Sequence, residues 1–316
     1  MFYQTLIRRL LILPLILLLT SVAIFLLPYL AGIDPTLSII RARIGERTLD
    51  PAAVEQLRND LGLDRSLAGQ YVQWLGDVLR GDLGFSYVSR TPVALILGRG
   101  LRVTALLAVT TLGLALLLAV PLGIAAALRP GSWLDTLITV GCQLGVAVPQ
   151  YVLAPLLILL FALQLGWLPS AGWRGPLFLI LPVCTLLPGP VAYFTQAMRS
   201  ALVEALQAEY LRTAHAKGLP FWLVLRRHAL RNALIPVMTM ATLWLAGLLG
   251  GSVIVEVIFA IPGLGRVLYE AVLAGDLPLL QAGLLFLVTL ATLLSGGTDL
   301  LYLLLNPTIR LEQKTR

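Results

Sequence analysis

The feature that most constrains this chain is a series of apolar runs, each about 20 residues long or longer. An α-helix rises 1.5 Å per residue, so about 20 residues cross the roughly 30 Å hydrocarbon core of a bilayer. Hydrophobic residues make up 58% of the 316 residues and charged residues 12%, with a mean hydropathy of +0.89. This composition is not that of a water-soluble domain, and it predicts an all-α polytopic membrane protein.

Hydropathy predicts six membrane-spanning helices, at about 9–31, 101–128, 134–163, 177–198, 232–258 and 280–305. The first follows Arg8 and Arg9 as a secretion signal would. Its apolar core is longer than a usual signal and no convincing cleavage site follows, so we interpret it as a retained helix. Spans three and four are expected to be kinked or broken because they contain prolines, namely Pro149, Pro155, Pro182, Pro188 and Pro190.

The distribution of lysine and arginine predicts the orientation of these spans. The side that holds both termini and residues 199–231 carries a net charge of +8, and the opposite side carries −1. Lysine and arginine are enriched in cytoplasmic loops, so we expect cytoplasmic termini in the cell inner (plasma) membrane. The basic pI near 9.8 follows from this asymmetry and does not indicate nucleic-acid binding.

The polar segment 32–100 is expected to fold as an external helical cap. Asp50 and Pro51 would begin one helix, and a second would place Leu67, Tyr71, Trp74, Leu75 and Val78 on one face and end near Gly81. That apolar face is either internal packing or a docking surface. The expected regions are 1–31 with the first span, the cap 32–100, the core 101–310 with five spans and the loop 199–231, and the cytoplasmic tail 311–316.

The loop from Glu204 to Pro236 is predicted to form a helix, a sharp turn and a second helix. The turn, at Gly218–Pro220, is called the elbow below. Strong helix formers run to Lys217, Gly218 can adopt the left-handed conformation that ends a helix, and Pro220 is suited to begin the next one. Small residues keep the tip slim, which suits insertion into a cleft of another protein. On physical grounds alone, an amphipathic helix lying on anionic lipid remains an equal alternative.

At this loop the sequence resembles a known family. RTAHAKG, at 212–218, resembles the EAA loop of ABC importer permeases, in the version found in the dipeptide and oligopeptide (peptide/nickel) branch. Four further segments resemble that branch in order: LRNDLGLDRSLAGQYVQWL (57–75), GDLGFS (81–86), EVIFAIPGLGRVLYEAVLAGDLPLLQ (256–281) and DLLYLLLNPTIR (299–310).

The resemblance implies a permease subunit that forms the translocation pathway and is not itself an enzyme. Its implied partners are a second homologous permease subunit, two cytoplasmic ABC ATPase subunits that bind ATP and Mg, an external substrate-binding protein and the lipid bilayer. It further implies a coupling helix seated on an ATPase, formed by Arg212, Thr213, Ala214, His215, Ala216, Lys217, Gly218 and Leu219. Peptides are the leading substrate, while nickel, glutathione and oligosaccharides remain open.

The residues themselves disfavour other classes. The sequence contains no GxxxxGK[ST] run, so no phosphate-binding loop and no cofactor is expected in this chain. Cys142 and Cys184 lack a metal-site or redox spacing. An ATP-independent transporter or channel would normally carry ionisable groups deep in the membrane, and spans two to four have none away from their ends.

Three residues near the outer end of span five are candidates for the pathway or a gate. Glu256 is expected near water, a partner or the interface, because a carboxylate is costly inside a bilayer. Gly250 and Gly251, with Gly247, are expected to allow close helix approach. The alternatives for these glycines are packing within the chain, a permease–permease interface or the pore lining.

Overall fold

The computed structural model describes residues 2–30, 32, 65–209, 211 and 218–305, and its regular elements there are all helical. In chain order these are α1 (Phe2–Leu30), α2 (Leu67–Leu79), α3 (Val93–Leu128), α4 (Trp133–Ala147), α5 (Gln150–Leu157) with a π-helical extension (Ile158–Gln164), α6 (Leu177–Leu186), α7 (Pro188–Gln207), α8 (Phe221–Val224) with a π-helical turn (Leu225–Ala229), α9 (Leu230–Gly251), α10 (Val253–Ile258), α11 (Leu264–Ala274) and α12 (Leu277–Leu305).

The predicted all-α membrane fold is confirmed. Among the described residues, four helical stretches are long and apolar enough to cross a membrane: Ile12–Leu30, Val93–Leu128, Phe221–Gly251 and Leu277–Gly297. Two bent helix pairs, α4 with α5 and α6 with α7, raise the number to six if each pair counts as one span.

The expected breaks in spans three and four are also confirmed. Helices α4 and α5 meet at an angle of 93°, and α6 and α7 meet at 55°. The first break falls at Val148 and Pro149, whose extended backbones interrupt the helix. The second falls next to Pro188, which lacks the N–H that would continue the helical ladder.

Two span boundaries differ from the hydropathy prediction. Helix α3 begins at Val93 rather than near 101, so residues 93–100 are part of this helix. Span five ends at Gly251, and residues 253–258 form the separate helix α10. Apolar residues continue across this break, so hydropathy alone could not detect it.

The chain divides into two compact units. The first comprises residues 1–104 and 262–292. In it, Phe25 of α1 packs its ring 5.5 Å from Tyr71 and 5.8 Å from Trp74 of α2, measured between ring centroids. The Tyr29 hydroxyl donates a 2.6 Å hydrogen bond to Gln70. Tyr71 and Trp74 of the second predicted cap helix therefore pack against α1, although no residue of α2 is buried and Leu67 is 47% exposed. The first predicted cap helix lies outside the described residues.

The second unit comprises residues 105–261 and 293–316, and its core lies where α3, α7 and α9 meet. Phe194, Met198 and Leu202 of α7 are fully buried there. Helix α3 comes so close that a Cβ atom built on Gly123 would lie 2.6 Å from Met198 Cβ and 2.7 Å from a carbonyl oxygen of α7. Glycine is therefore required for this approach.

Candidate functional site

The structure corrects one part of the predicted loop helix. Helix α7 ends at Gln207, and Ala208 has an extended backbone with φ −68° and ψ 143°, so residues 204–217 do not form one continuous helix. The chain is helical again at Glu209 and Leu211, and Leu211 is buried in the core. The expected coupling residues 212–217 lie outside the described residues.

The predicted elbow is confirmed at the residues that the structure describes. Gly218 has φ +77°, the left-handed conformation that glycine adopts without a steric penalty. Pro220 follows with φ −66° and ψ 144° and is the N-cap of α8. The chain therefore turns sharply at Gly218 and begins a new helix three residues later.

The described residues on either side of segment 212–217 contact the core of the second unit. Leu211 on one side is buried, and Leu219 on the other side packs partly buried against the same cluster. Val224 and Leu225 of the following helical turns are buried there too. By contrast, Trp222 is 68% exposed. The chain is therefore packed into this core on both sides of residues 212–217.

The second unit also contains an ion pair with a buried carboxylate. Arg199 of α7 donates two hydrogen bonds of 2.6 Å, from Nε and Nη2, to the two carboxylate oxygens of Asp135 in α4. Asp135 is buried and also accepts a 2.9 Å bond from the Gly131 N–H. A bidentate pair fixes orientation as well as distance, so it joins α4 to α7. The sequence analysis placed Arg199 on the cytoplasmic side and did not predict this pair.

Glu256 lies in the first turn of α10, and its surroundings correct the expectation that it lies near water, a partner or the interface. The residue is completely buried within the chain, and Ser252 Oγ donates a 2.7 Å hydrogen bond to its carboxylate. Helix α10 packs against α5 and α6, the helices next to the two bends. Glu256 therefore sits at the break after α9, within a part of the second unit where bent helices meet.

The expected close helix approach at the α9 glycines is not found among the residues that the structure describes. A Cβ atom built on Gly247, Gly250 or Gly251 would have no heavy atom within 4 Å, and all three glycines are exposed. Packing within the described chain therefore does not explain them, and this face of α9 remains open.

On the first unit, a buried carboxylate holds the loop that follows α2. Asp276, between α11 and α12, accepts hydrogen bonds from Ser86 Oγ and, at 3.1 Å, from the Tyr87 N–H. Both Ser86 and Asp276 are 2% exposed. The segment GDLGFS (81–86) and the end of the segment 256–281 therefore meet in space. The sequence showed that each resembles the permease family, but it did not show that they are in contact.

The described residues contain no cluster of three or more His, Cys, Asp or Glu that could hold a metal ion.

Comparison with known proteins decides the family. Residues 119–311 match the family of binding-protein-dependent transport system inner membrane components, and residues 1–108 match the N-terminal region of such membrane components. The chain belongs to this family. It is the permease subunit of a binding-protein-dependent ABC importer, a multi-pass inner membrane protein that works in a complex with ATPases. ATP hydrolysis is carried out by those separate subunits.

Relatives of similar length support this assignment. The permease is 39% identical over 304 residues to the glutathione transport system permease protein GsiC of Pectobacterium atrosepticum, covering 96% of this chain and 98% of the relative. It is 37% identical over 305 residues to a Brucella abortus protein whose name assigns it to a peptide transport system, with coverage of 94% and 96%.

A solved structure supports the fold. An inward-facing MetNI methionine ABC transporter aligns with a TM-score of 0.58 and 21% identity, covering 68% of this chain and 98% of that chain. At this identity the likeness concerns the fold alone. The predicted permease family and fold class are thus confirmed.

Proposed function

We propose that this permease forms the pathway for short peptides, di- or oligopeptides or the tripeptide glutathione, that an external binding protein delivers. The observation that carries the proposal is similarity along nearly the whole chain to relatives named for peptide or glutathione transport. Nickel and oligosaccharides are the remaining alternatives.

We propose the same partners that the family resemblance implies: a second homologous permease subunit, two cytoplasmic ATPase subunits and an external binding protein. The charge asymmetry supports cytoplasmic termini and a cytoplasmic loop 199–231. We further propose the division into the first span (1–31), the external cap (32–100), the core (101–310) and the cytoplasmic tail (311–316).

Residues 212–219 are proposed to contact an ATPase. Their support is the anchoring of Leu211 and Leu219 in the core and the sharp turn at Gly218. Movement of the ATPases would be transmitted through these anchors to α7, α8 and α9. The alternative, a loop lying on lipid, would need no such anchoring at both ends.

The open face of α9 is proposed to border the pathway or the second permease. Gly250 and Gly251 leave space there that no other described residue occupies. Glu256 would act indirectly, because its buried carboxylate accepts from Ser252 and so stabilises the turn between α9 and α10. We propose this turn as the gate element.

The substrate proposal is tested by transport into proteoliposomes that contain the complete importer and its binding protein. Radiolabelled dipeptide, glutathione, Ni²⁺ and a maltooligosaccharide are compared at equal concentration, with and without ATP. We expect ATP-dependent accumulation of the dipeptide or of glutathione. Accumulation of Ni²⁺ or of the oligosaccharide alone would contradict the proposal.

A further inference from the structure

The first unit contains a cavity that the proposed translocation mechanism does not use. Its volume is about 400 Å³, within the roughly 300–1,000 Å³ range of small-molecule sites. The loop 86–91, the first turns of α3, helix α11 and the beginning of α12 all contribute lining residues. All of these segments lie on the side that the charge asymmetry places outside the cell.

The lining combines one cationic side chain, Arg99 of α3, with two anionic side chains, Glu270 in the middle of α11 and the buried Asp276. Arg99 and Glu270 are exposed, so a ligand can approach them from water. Arg266 Nε donates a 2.7 Å hydrogen bond to Glu270. A carboxylate accepts several hydrogen bonds, so this contact orients Glu270 and leaves it able to accept another donor.

Apolar side chains form the remaining walls, among them Ile96, Val267 and Leu279. One end of the cavity is held in place by the hydrogen bonds from Ser86 and Tyr87 to the buried Asp276 carboxylate. The cavity is therefore preformed, with opposite charges and an apolar surface. A preformed site spares a ligand the cost of ordering the protein.

We infer that this cavity is an external subsite for a small zwitterionic peptide. The free carboxylate of the peptide would pair with the Arg99 guanidinium, its ammonium group with Glu270, and an apolar side chain would contact the walls. Arginine binds a carboxylate through two parallel N–H groups, which favours a free C-terminus over an amide. This inference rests on the proposed peptide substrate and adds a second place where that substrate binds.

Direct binding tests the inference without relying on transport. The complete importer in nanodiscs, without its binding protein, is titrated with radiolabelled L-alanyl-L-phenylalanine by equilibrium dialysis. We expect Arg99→Gln to weaken binding at least tenfold, about 1.4 kcal/mol, and to leave binding of the C-terminally amidated dipeptide unchanged. Glu270→Gln should likewise weaken the free dipeptide but not its N-acetyl derivative.

Two further variants keep the test decisive. Arg80→Gln removes an exposed arginine that pairs with Asp77 and does not line this cavity, so it should bind the dipeptide normally. Ala274→Phe adds a ring at an exposed lining position and should abolish binding with little risk to folding. Normal dipeptide binding in both Arg99→Gln and Ala274→Phe would overturn the inference.

The transport assay separates this subsite from the proposed function. Suppose that the wild-type importer accumulates the dipeptide, and that Arg99→Gln and Ala274→Phe both bind it normally. The subsite is then wrong and the substrate proposal stands. If the dipeptide binds in the expected charge-dependent way but is not transported, the subsite stands and the substrate proposal fails. If Ala274→Phe impairs only stimulation by the binding protein, the cavity receives that protein instead, and the inference is wrong.

Discussion

Ser86 donates a hydrogen bond to the carboxylate of Asp276, although 190 residues separate them in sequence. The same carboxylate accepts from the Tyr87 N–H, and the Ser86 oxygen accepts from the Ser89 N–H at 3.0 Å. One buried side chain therefore connects the loop after α2 with the junction between α11 and α12. This connection fixes the outer loop to the helices of the first unit.

Removal of this carboxylate should loosen the outer loop. In Asp276→Ala, Ser86 and the Tyr87 N–H lose their partner in a buried place, and a hydrogen bond to a charged group is worth about 1.5–3 kcal/mol. We expect a lower unfolding temperature in detergent and faster proteolysis between residues 80 and 92. Asp77→Ala is the matched control, because Asp77 is an exposed residue paired only at 3.3 Å with Arg80. Equal stability of the two variants would contradict this account.

The Asp135–Arg199 pair should show strong energetic coupling. Asp135→Asn leaves the Arg199 guanidinium without its charged partner in a half-buried place, and we expect a loss of about 2 kcal/mol. Arg199→Met should cost a similar amount. The double variant should be less destabilised than the sum of the single variants. Strictly additive losses in thermal unfolding would show that the bidentate contact contributes no coupling energy.

Gly123 should tolerate no side chain, whereas Gly113 of the same helix should. A methyl group on Gly123 would overlap Met198 and a carbonyl oxygen of α7, so Gly123→Ala should cost about 1–3 kcal/mol, as overpacking does. A Cβ atom on Gly113 has no neighbour within 4 Å, and Gly113→Ala should be neutral or stabilising by up to about 1 kcal/mol. Thermal unfolding of both variants in detergent measures the difference, and a reversed order would refute the close approach of α3 to α7.

Local and periodic features of this permease could be predicted from its sequence. The apolar runs predicted the spans, prolines predicted the two bends, and Gly218 and Pro220 predicted the elbow, because each effect acts within a few residues. The Asp135–Arg199 and Ser86–Asp276 contacts join residues 64 and 190 positions apart, and no local pattern specifies such pairs. The end of α7 at Gln207 was missed because strong helix formers continue across the extended backbone of Ala208.

The proposed orientation predicts opposite accessibility for two positions. After replacement of Cys142 and Cys184 by alanine, single cysteines are placed at Gln70 and at Lys217, and intact cells receive an impermeant thiol reagent. Position 70 should react and position 217 should not, because the charge asymmetry places residues 199–231 in the cytoplasm. Equal or greater labelling at position 217 would reverse the topology.

Gly218→Val should distort the elbow through backbone strain alone, and it should therefore reduce uptake. A Cβ atom there has no neighbour within 4 Å, but φ is +77°, and a β-branched residue in this conformation costs of order 1–3 kcal/mol. Gly218→Asn should retain most uptake, because asparagine tolerates the left-handed conformation. Uptake by the valine variant equal to that of the wild type would show that the turn does not position the coupling segment.

The central claim is that residues 212–219 seat the permease on its ATPases, and Ala214→Asp tests it most directly. Burial of an unpaired carboxylate in a protein cleft costs several kcal/mol, whereas a loop lying at the lipid surface is open to water. The measurement is co-purification of the ATPase subunits with the tagged permease, together with ATP hydrolysis stimulated by the binding protein and peptide. We expect normal membrane insertion with loss of the ATPases or of their stimulation. Wild-type co-purification, stimulation and uptake in Ala214→Asp would contradict the coupling role.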